Sequence, residues 1–295
     1  MKYKAILLLL VSGLLCQNAN AMCTKSKDYP DLTLDMIIED IRIGNMQQRG
    51  KAITVLSEVC PRDAIKPLLV ILGDSDPDAS AAAALALGKM DEHSAIVPLA
   101  DALLVKDIRS AAAATALGML KANKAVPRLT KVLFKGKYQE SRVNSAWALG
   151  EINDERADKF LLIAAKKDAA LPVQAEALRA CGKRKYKNAM PTILDRLGSK
   201  KEELRLAAVQ ALGLMKHLES RELLENVMLD DRAPQVRAEA ASVVGELLFK
   251  ESMPALQSAM KDKNPQVSEA ATLAYNRIND ALQHKLKEES KKKKR

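Results

Sequence analysis

One short signature recurs along this chain at an almost constant spacing. Ala-Leu-Gly or a close variant occurs six times, and the weaker copies Val-Leu-Ser and Ala-Tyr-Asn extend the series at its two ends. Successive copies are 30 to 32 residues apart. Self-similarity at such a period indicates an array in which each unit packs only against its neighbours. Eight units thus fill the chain from about residue 32 to 280, and their signatures end at Ser57, Gly88, Gly118, Gly150, Gly182, Gly213, Gly245 and Asn276.

Each unit is predicted to contain two helices. A recurring proline marks the first turn of the first helix, where its missing amide costs no hydrogen bond. An aspartate-containing loop then leads to the second helix, in which apolar residues share one face up to the signature. We expect the signature glycine to cap that helix. The prolines are Pro67, Pro98, Pro127, Pro191 and Pro254.

This two-helix unit resembles the HEAT family, and more closely its phycobilisome-lyase type HEAT-like branch, over about 250 residues. The resemblance implies an all-α fold, an alpha-alpha superhelix (a HEAT-like solenoid) of about eight two-helix repeats. The resemblance also depends on a recurring pair, an apolar residue followed by arginine. From this pair we expect Asp–Arg contacts between repeats, and we expect the series to be incomplete at Gln174 and Ser268, which stand in place of the arginine. The pairs are Ile108-Arg109, Leu204-Arg205 and Val236-Arg237.

The first 21 residues have the features of a secretory signal peptide. Lys2 and Lys4 precede an apolar stretch at 5–15, and Ala19-Asn20-Ala21 forms a small-x-small cleavage site. We expect cleavage after Ala21 and an exported protein, periplasmic or secreted. A lipoprotein signal is the rival interpretation, but large residues precede both nearby cysteines. The predicted domains are therefore a signal peptide at 1–21, a solenoid at 22–284 and a basic tail at 285–295.

Export makes a disulfide plausible among the three cysteines that remain after cleavage. Cys181 replaces the leucine of a signature, so we expect it to be a buried apolar residue. Cys23 and Cys60 are then the predicted pair, which in the chain-entropy view stabilises the fold by about 3 to 4 kcal/mol. Two free thiols are the alternative.

The formal charge of +10 is concentrated at the two ends of the chain. The signal peptide contributes two bases and residues 285–295 a net +5, which leaves about +3 for the body. Nucleic acid is therefore not an expected partner. The tail is either a solvated helix end or an electrostatic handle for an anionic envelope surface.

No recognisable catalytic or metal-binding motif occurs in the sequence. The three histidines, His93, His217 and His284, have no second ligand at metal spacing. Deoxyhypusine hydroxylase, an enzyme of similar repeat type, holds iron through His-Glu pairs on several repeats; here the nearest feature is the single reversed pair Glu92-His93. We expect no cofactor, no small-molecule substrate and no enzymatic function.

A solenoid does offer a long concave wall, which in the HEAT family is formed mainly by the second helices. The position three residues before each signature glycine lies off the buried face, and Trp147 and Arg179 occupy it in successive repeats. Together they form a pair of residue types that dominate binding hot spots. Trp147 is either partly packed or ligand-facing. The predicted partner-binding residues are Trp147, Arg179, Asn144, Glu176, Gln210 and Glu239.

The sequence thus predicts an exported scaffold that binds a protein or peptide along its concave face. Two alternatives remain open. One is an enzyme of a related HEAT-like family, of the bilin lyase or metal-dependent hydroxylase type. The other is an envelope-surface tether that acts through the basic tail.

Overall fold

The computed structural model describes residues 33–59, 61–105 and 107–293. These residues form sixteen α-helices and no strand, so the prediction of an all-α, HEAT-like architecture of paired helices is confirmed. No helix in the described ranges has the length and hydropathy needed to cross a membrane. The helices are α1 Leu34–Ile43, α2 Met46–Val59, α3 Ile65–Leu72, α4 Pro77–Lys89, α5 Ile96–Ala102, α6 Ile108–Met119, α7 Val126–Lys135, α8 Gln139–Glu151, α9 Asp158–Lys167, α10 Leu171–Lys183, α11 Met190–Leu197, α12 Glu202–Met215, α13 Arg221–Asp230, α14 Pro234–Glu246, α15 Met253–Ala259 and α16 Pro265–Lys293.

The chain divides into two compact units, with a boundary inside α8 after Ala148 and a three-residue exchange at 133–135. In unit 1, α1 packs on α2, α3 on α4 and α5 on α6, and the second helices α2, α4 and α6 stack in sequence order. In unit 2, α9 to α16 pair in the same way, and α10, α12, α14 and α16 stack in turn. Each unit therefore shows the nearest-neighbour packing that the period predicts.

The first helices begin where the prolines predict. Pro127, Pro191 and Pro254 lie in the first turn of α7, α11 and α15, where no intrahelical hydrogen bond is lost. A single 3-10 turn precedes each of these helices. The second helices contribute many of the buried residues, and in α4 every residue from Ala79 to Gly88 is buried. Alanine dominates that core, which allows close approach of the helix axes.

The prediction that the signature glycine caps the second helix is wrong. Gly88 lies inside α4, and the residue in the left-handed conformation is Asp91, three positions later, with φ 55°. The amide of Glu92 donates to the carbonyl of Leu87, and the amide of Asp91 to that of Gly88, which together form a Schellman motif. The same geometry ends four more second helices, at Lys121, Lys185, Lys216 and Leu248.

The glycine is instead required where successive second helices cross. A Cβ on Gly88 would lie 2.7 Å from Cα of Ala116, and one on Gly182 would lie 2.6 Å from Cα of Ala211. In each case the neighbour is the alanine of the next signature, so one Ala-Leu-Gly contacts the previous repeat through alanine and the following one through glycine. The signature is therefore a packing motif between repeats.

Asp–Arg contacts join neighbouring repeats within each unit, as the resemblance implied. Arg205 makes two hydrogen bonds to Asp231, at 2.7 and 2.8 Å, and both side chains are 6% exposed. Burial alone would raise the pKa of the Asp231 carboxyl, but hydrogen bonds from Arg205 and from the Ala233 amide hold that pKa below its usual value. Arg237 pairs with Asp262 in the same way at 2.8 and 3.0 Å.

The series of Asp–Arg contacts is interrupted at the position predicted from the sequence. Gln174 replaces arginine in α10, and its side-chain amide donates to the carbonyl of Asp168 in its own repeat at 2.6 Å. Arg109 also departs from the pattern, because it pairs with Asp107 of its own loop and reaches the preceding repeat only through the carbonyl of Asp74.

Cys181 is fully buried, and burial raises the pKa of its thiol to about 12. It is a core residue, as its place in the signature predicts. The predicted signal peptide and the cysteines Cys23 and Cys60 lie outside the described residues, so the disulfide and the cleavage after Ala21 stay predictions. The tail is helical as far as it is described, because α16 continues to Lys293.

Candidate functional site

Four of the predicted partner-binding residues form one hydrogen-bonded line across three second helices of unit 2. Arg179 on α10 pairs with Glu176 one turn earlier, with Nε and Nη2 at 3.0 and 2.9 Å from the carboxylate. Its Nη1 donates to Oε1 of Gln210 on α12 at 3.3 Å. The Gln210 side chain in turn hydrogen-bonds Glu239 on α14. Arg179 is 31% exposed and thus accessible from solvent.

Glu239 has the most perturbed environment in this line. Burial raises the pKa of its carboxyl above the usual value, and the neighbouring Glu246 carboxylate adds to the rise. The hydrogen bond with Gln210 and the charge of Arg179 oppose that rise. At Glu239 the polar line reaches an adjoining surface of unit 2.

That surface is a groove of about 1000 Å³ along the last three second helices. Its apolar part is formed by Leu206 of α12 and by alanines and Leu273 of α14 and α16. Leu273 is 70% exposed, an unusual exposure for a leucine on a helix whose opposite face is core. We call the exposed side chains of α10, α12, α14 and α16, including the groove, the second-helix face of unit 2.

The charged residues of the groove are mostly acidic. Glu239 and Glu246 lie on α14, and Glu269 and Asp280 on α16, against a single base, Arg277. In the described part of the chain, Glu246, Glu269 and Asp280 make no ion pair within 4.0 Å. The groove therefore combines an apolar floor with carboxylates that are available to a ligand.

Trp147 belongs to unit 1 and is half-buried. Its ring lies against the preceding repeat, where a Cβ on Gly118 would be 2.6 Å from Cζ3 of the indole. The flanking Ala146, Ala148 and Leu149 are fully buried. One edge of the tryptophan therefore packs on the neighbouring second helix, while the remainder reaches solvent.

Asn144 is buried and engaged inside unit 1. Its exposed fraction is 7%, and its amide donates to the carbonyl of Ala111 at 3.1 Å and to Oγ1 of Thr115 at 3.0 Å. Both donor hydrogens are thus used between repeats. The structure therefore places Asn144 in the packing between α6 and α8.

Sequence reasoning missed the residues that follow the signature. Glu151, Lys183 and Glu246 each come directly after a signature glycine, and Arg277 holds the same position in the last repeat. In unit 2, Lys183 contacts Glu151 across one repeat step, whereas Glu246 and Arg277 line the groove. The charged residues directly after the signature in the last two repeats, Glu246 and Arg277, are the signal that could have indicated the groove.

The Glu92-His93 pair lies in the turn before α5. Glu92 accepts a hydrogen bond from the Ser94 amide at 2.8 Å, and the His93 ring is 62% exposed with Asp91 at 3.5 Å. Across the described residues, no three His, Cys, Asp or Glu side chains are grouped so that they could hold a metal ion. The described residues thus do not fit an iron centre of the hydroxylase type.

Comparison with protein families identifies most of the chain. The family described as HEAT repeats matches residues 44–113, 159–244 and 222–288. The family described as PBS lyase HEAT-like repeat matches residues 111–135. The resemblance inferred from the signature, the loop aspartate and the arginine pair is thereby confirmed.

Individual relatives are more distant. Deoxyhypusine hydroxylase of Saccharomyces cerevisiae is 40% identical over 85 residues, which is 28% of this chain and 26% of the relative. The chain thus spans about a quarter of the curated relative that it matches. The Escherichia coli protein YibA has a similar X-ray structure, with a TM-score of 0.58 and 21% identity over 84% of this chain and 93% of that one.

A third similar structure is the complex of CpcE and CpcF of phycocyanin lyase from Nostoc sp. PCC7120, with a TM-score of 0.52. It is 22% identical over 85% of this chain and 97% of that chain, so the likeness concerns the fold. The prediction that the chain is not an enzyme is wrong by these comparisons, because the curated relative that it matches is an enzyme, deoxyhypusine hydroxylase.

Proposed function

Because this chain belongs to the HEAT repeat family, whose stacked helix pairs present extended binding surfaces, we propose that it binds a protein partner through the second-helix face of unit 2. The observation that supports this proposal most directly is the groove, where exposed Leu273 lies beside carboxylates that make no ion pair with any residue that the structure describes. The hydrogen-bonded line from Glu176 to Glu239 continues the same face toward α10.

Two physical features of this face favour a protein ligand. First, the polar line is held by its own hydrogen bonds, so its side chains lose little conformational freedom when a partner binds. Second, the groove lies open along several helices, whereas small-molecule sites are usually enclosed concave pockets. A partner chain laid across the helices would contact side chains of three successive repeats.

Site-specific photo-crosslinking in the native host tests this proposal. A photoreactive residue at Leu273 is expected to yield a discrete adduct with another protein. The matched control is Leu223 on the first helix α13, which is 43% exposed in the same unit and does not line the groove. Equal adducts from both positions, or none from Leu273, would contradict the proposed face.

We further propose that the protein acts after export, as the features of residues 1–21 suggest. The mass of the mature protein isolated from its host tests this. We expect a chain that begins at Met22. A mature chain that retains its first 21 residues would refute the proposal.

An enzymatic role is the second candidate function, and the 40% identity to deoxyhypusine hydroxylase over 85 residues favours it. Elemental analysis of the purified protein tests the hydroxylase type, since an enzyme of that type would contain iron in stoichiometric amount. Absorption spectroscopy after incubation with a bilin tests the lyase type. Protein without iron and without a bilin spectrum would argue against both.

A further inference from the structure

The groove of unit 2 has a charge balance that selects among protein ligands. Four carboxylates, Glu239, Glu246, Glu269 and Asp280, line it with one guanidinium, that of Arg277. The local balance is thus three negative charges, within a chain whose formal net charge is +10. An acidic groove would not be predicted from the overall composition of a chain with a positive net charge.

The acidic residues are positioned around an apolar centre. Leu273 on α16 and Leu206 on α12 lie in the groove together with Ala238, Ala270 and Ala274. Glu246 is the last residue of α14. On α16, Glu269 lies in the first half of the helix and Asp280 lies near its middle. A ligand that buries an apolar side chain on Leu273 therefore has carboxylates nearby to pair with its charges.

From this arrangement we propose that the groove accepts a basic segment of a partner protein, in which lysine or arginine side chains alternate with large apolar residues. The inference rests on the proposed function of the second-helix face and specifies the class of ligand. The apolar residues of the segment contact Leu206 and Leu273, and its cationic side chains lie near Glu246, Glu269 and Asp280.

The charge of the groove disfavours acidic and neutral segments. Opposite charges a few ångströms apart at a protein surface attract, and like charges repel. An acidic segment would therefore face four carboxylates with one arginine to offset them. A neutral segment would gain only the apolar contact. Complementary charge also accelerates association, with a strong dependence on salt.

Fluorescence anisotropy with the full chain tests the inference directly. The probes are labelled peptides of equal length with leucines at the same positions and lysine, glutamine or glutamate at all others. We expect the lysine peptide to bind about tenfold or more tightly than the glutamine peptide at low ionic strength. We expect the glutamate peptide to bind most weakly.

A pair of matched variants locates the binding. Glu246→Gln with Glu269→Gln is expected to weaken the lysine peptide about tenfold and to leave the glutamine peptide unchanged. Glu219→Gln with Glu222→Gln makes the same charge change at exposed carboxylates of unit 2 that lie outside the second-helix face. That control is expected to bind the lysine peptide like the unmodified chain. All four positions are exposed, so the helices should remain folded, as circular dichroism will show.

The possible outcomes separate this inference from the proposed function. If the glutamine or glutamate peptide binds as tightly as the lysine peptide, the basic ligand is refuted. If that binding is also lost when Leu273 is substituted, the second-helix face is still the binding surface. If both variant pairs weaken the lysine peptide equally, the interaction is diffuse and the groove is refuted as its site. Lack of binding by all three peptides contradicts the basic ligand, while the crosslinking at Leu273 judges the face independently.

A second copy of this chain is the competing occupant, because its own residues 285–295 have a net charge of +5. Analytical ultracentrifugation of the purified chain distinguishes it. We expect a mass independent of concentration. If the chain forms concentration-dependent dimers and the variant Glu246→Gln with Glu269→Gln does not, the occupant of the groove is the tail of another copy. The proposed partner segment is then refuted.

Discussion

Glycine inside a helix normally lowers stability, yet this chain places one near the end of six second helices. The distances at the helix crossings supply the reason. At Gly182 the atoms that a Cβ would meet belong to the backbone of Ala211, which cannot move aside as the end of a flexible side chain can. The gain in helix propensity from alanine, about 1 kcal/mol, is then smaller than the cost of overpacking.

Gly182→Ala is therefore expected to destabilise the protein by about 1 to 2 kcal/mol, because the new methyl group forces α10 and α12 apart. Urea denaturation followed by circular dichroism measures the change. The control is Gly50→Ala on α2, where a Cβ would meet nothing within 4 Å. That substitution is expected to stabilise by about 0.5 to 1 kcal/mol. An equal gain at both positions would contradict the close crossing.

Removing one partner of the buried Arg205–Asp231 pair leaves an uncompensated charge. Asp231→Asn is expected to lower the free energy of unfolding by about 3 to 5 kcal/mol at neutral pH. Because the folded-state pKa of Asp231 is lowered, its contribution is present above the ordinary carboxyl pKa of about 4 and is lost as the pH falls through the folded value.

The stability difference between wild type and Asp231→Asn should accordingly shrink below about pH 4. Denaturant titrations at neutral and acidic pH measure it. Asp195→Asn is the control, since Asp195 pairs with Arg196 but is 68% exposed, and its removal should change stability little. A difference between wild type and Asp231→Asn that does not depend on pH would show that the pair is not the source of the effect.

Single residues show how far the sequence could predict this site. The column containing Arg179 and Gln210 was identifiable, because its positions lie off the apolar face of each second helix. The burial of Asn144 was not, since it depends on Ala111 and Thr115 of the preceding repeat and on how closely two helices approach. The role of the signature glycine was not predictable either, because helix ends commonly contain a glycine and the close helix crossing is visible only in the structure.

Helix ends in this protein use non-glycine residues in a conformation that favours glycine. Five second helices end with a left-handed residue three positions after the signature. A side chain with a Cβ pays about 1 kcal/mol or more in that region. The repeat period fixes where each second helix must end, and neither Lys185 nor Leu248 offers an intrinsic preference for that conformation. The boundary is therefore set by packing between repeats.

Lys185→Gly is expected to stabilise the protein by about 0.5 to 1 kcal/mol, because it relieves the strain at φ 53°. Thermal denaturation measures the shift. Lys187→Gly supplies the comparison two residues later, where the backbone is in a 3-10 turn and φ is not positive. There glycine only increases the freedom of the unfolded chain, so a loss of stability is expected. Losses at both positions would mean that the left-handed conformation costs little here.

Charge along the entire chain is more uneven than its two ends suggest. Residues 121–201 have a net charge of +11, while residues 22–120 and 202–284 have −4 each. The net charge of the body is small because these segments offset one another. The prediction that the positive charge is concentrated at the two ends is therefore incomplete. The acidic groove belongs to the acidic third segment, which explains how it arises in a basic protein.

The tail is correspondingly not the main source of positive charge. A chain that lacks residues 285–295 is expected to retain most of the binding that the complete chain shows to phosphatidylglycerol vesicles at low salt, because the segment at 121–201 remains. Co-sedimentation measures this, with phosphatidylcholine vesicles as the control. Both chains should be released near 0.5 M salt, where charges are screened within about 4 Å. Complete loss on truncation would instead support the tail as an envelope tether.

The shared geometry of the Gly–Ala crossings makes the repeats of unit 2 interchangeable at their joints. Gly150 meets Ala180, Gly182 meets Ala211 and Gly245 meets Ala274, so duplication of one whole period would create another joint of the same kind. Only Gly213 meets a larger residue, Val243. Descendants of this chain can therefore lengthen their binding surface by copying a repeat, without a new kind of interface, except at the joint between α12 and α14.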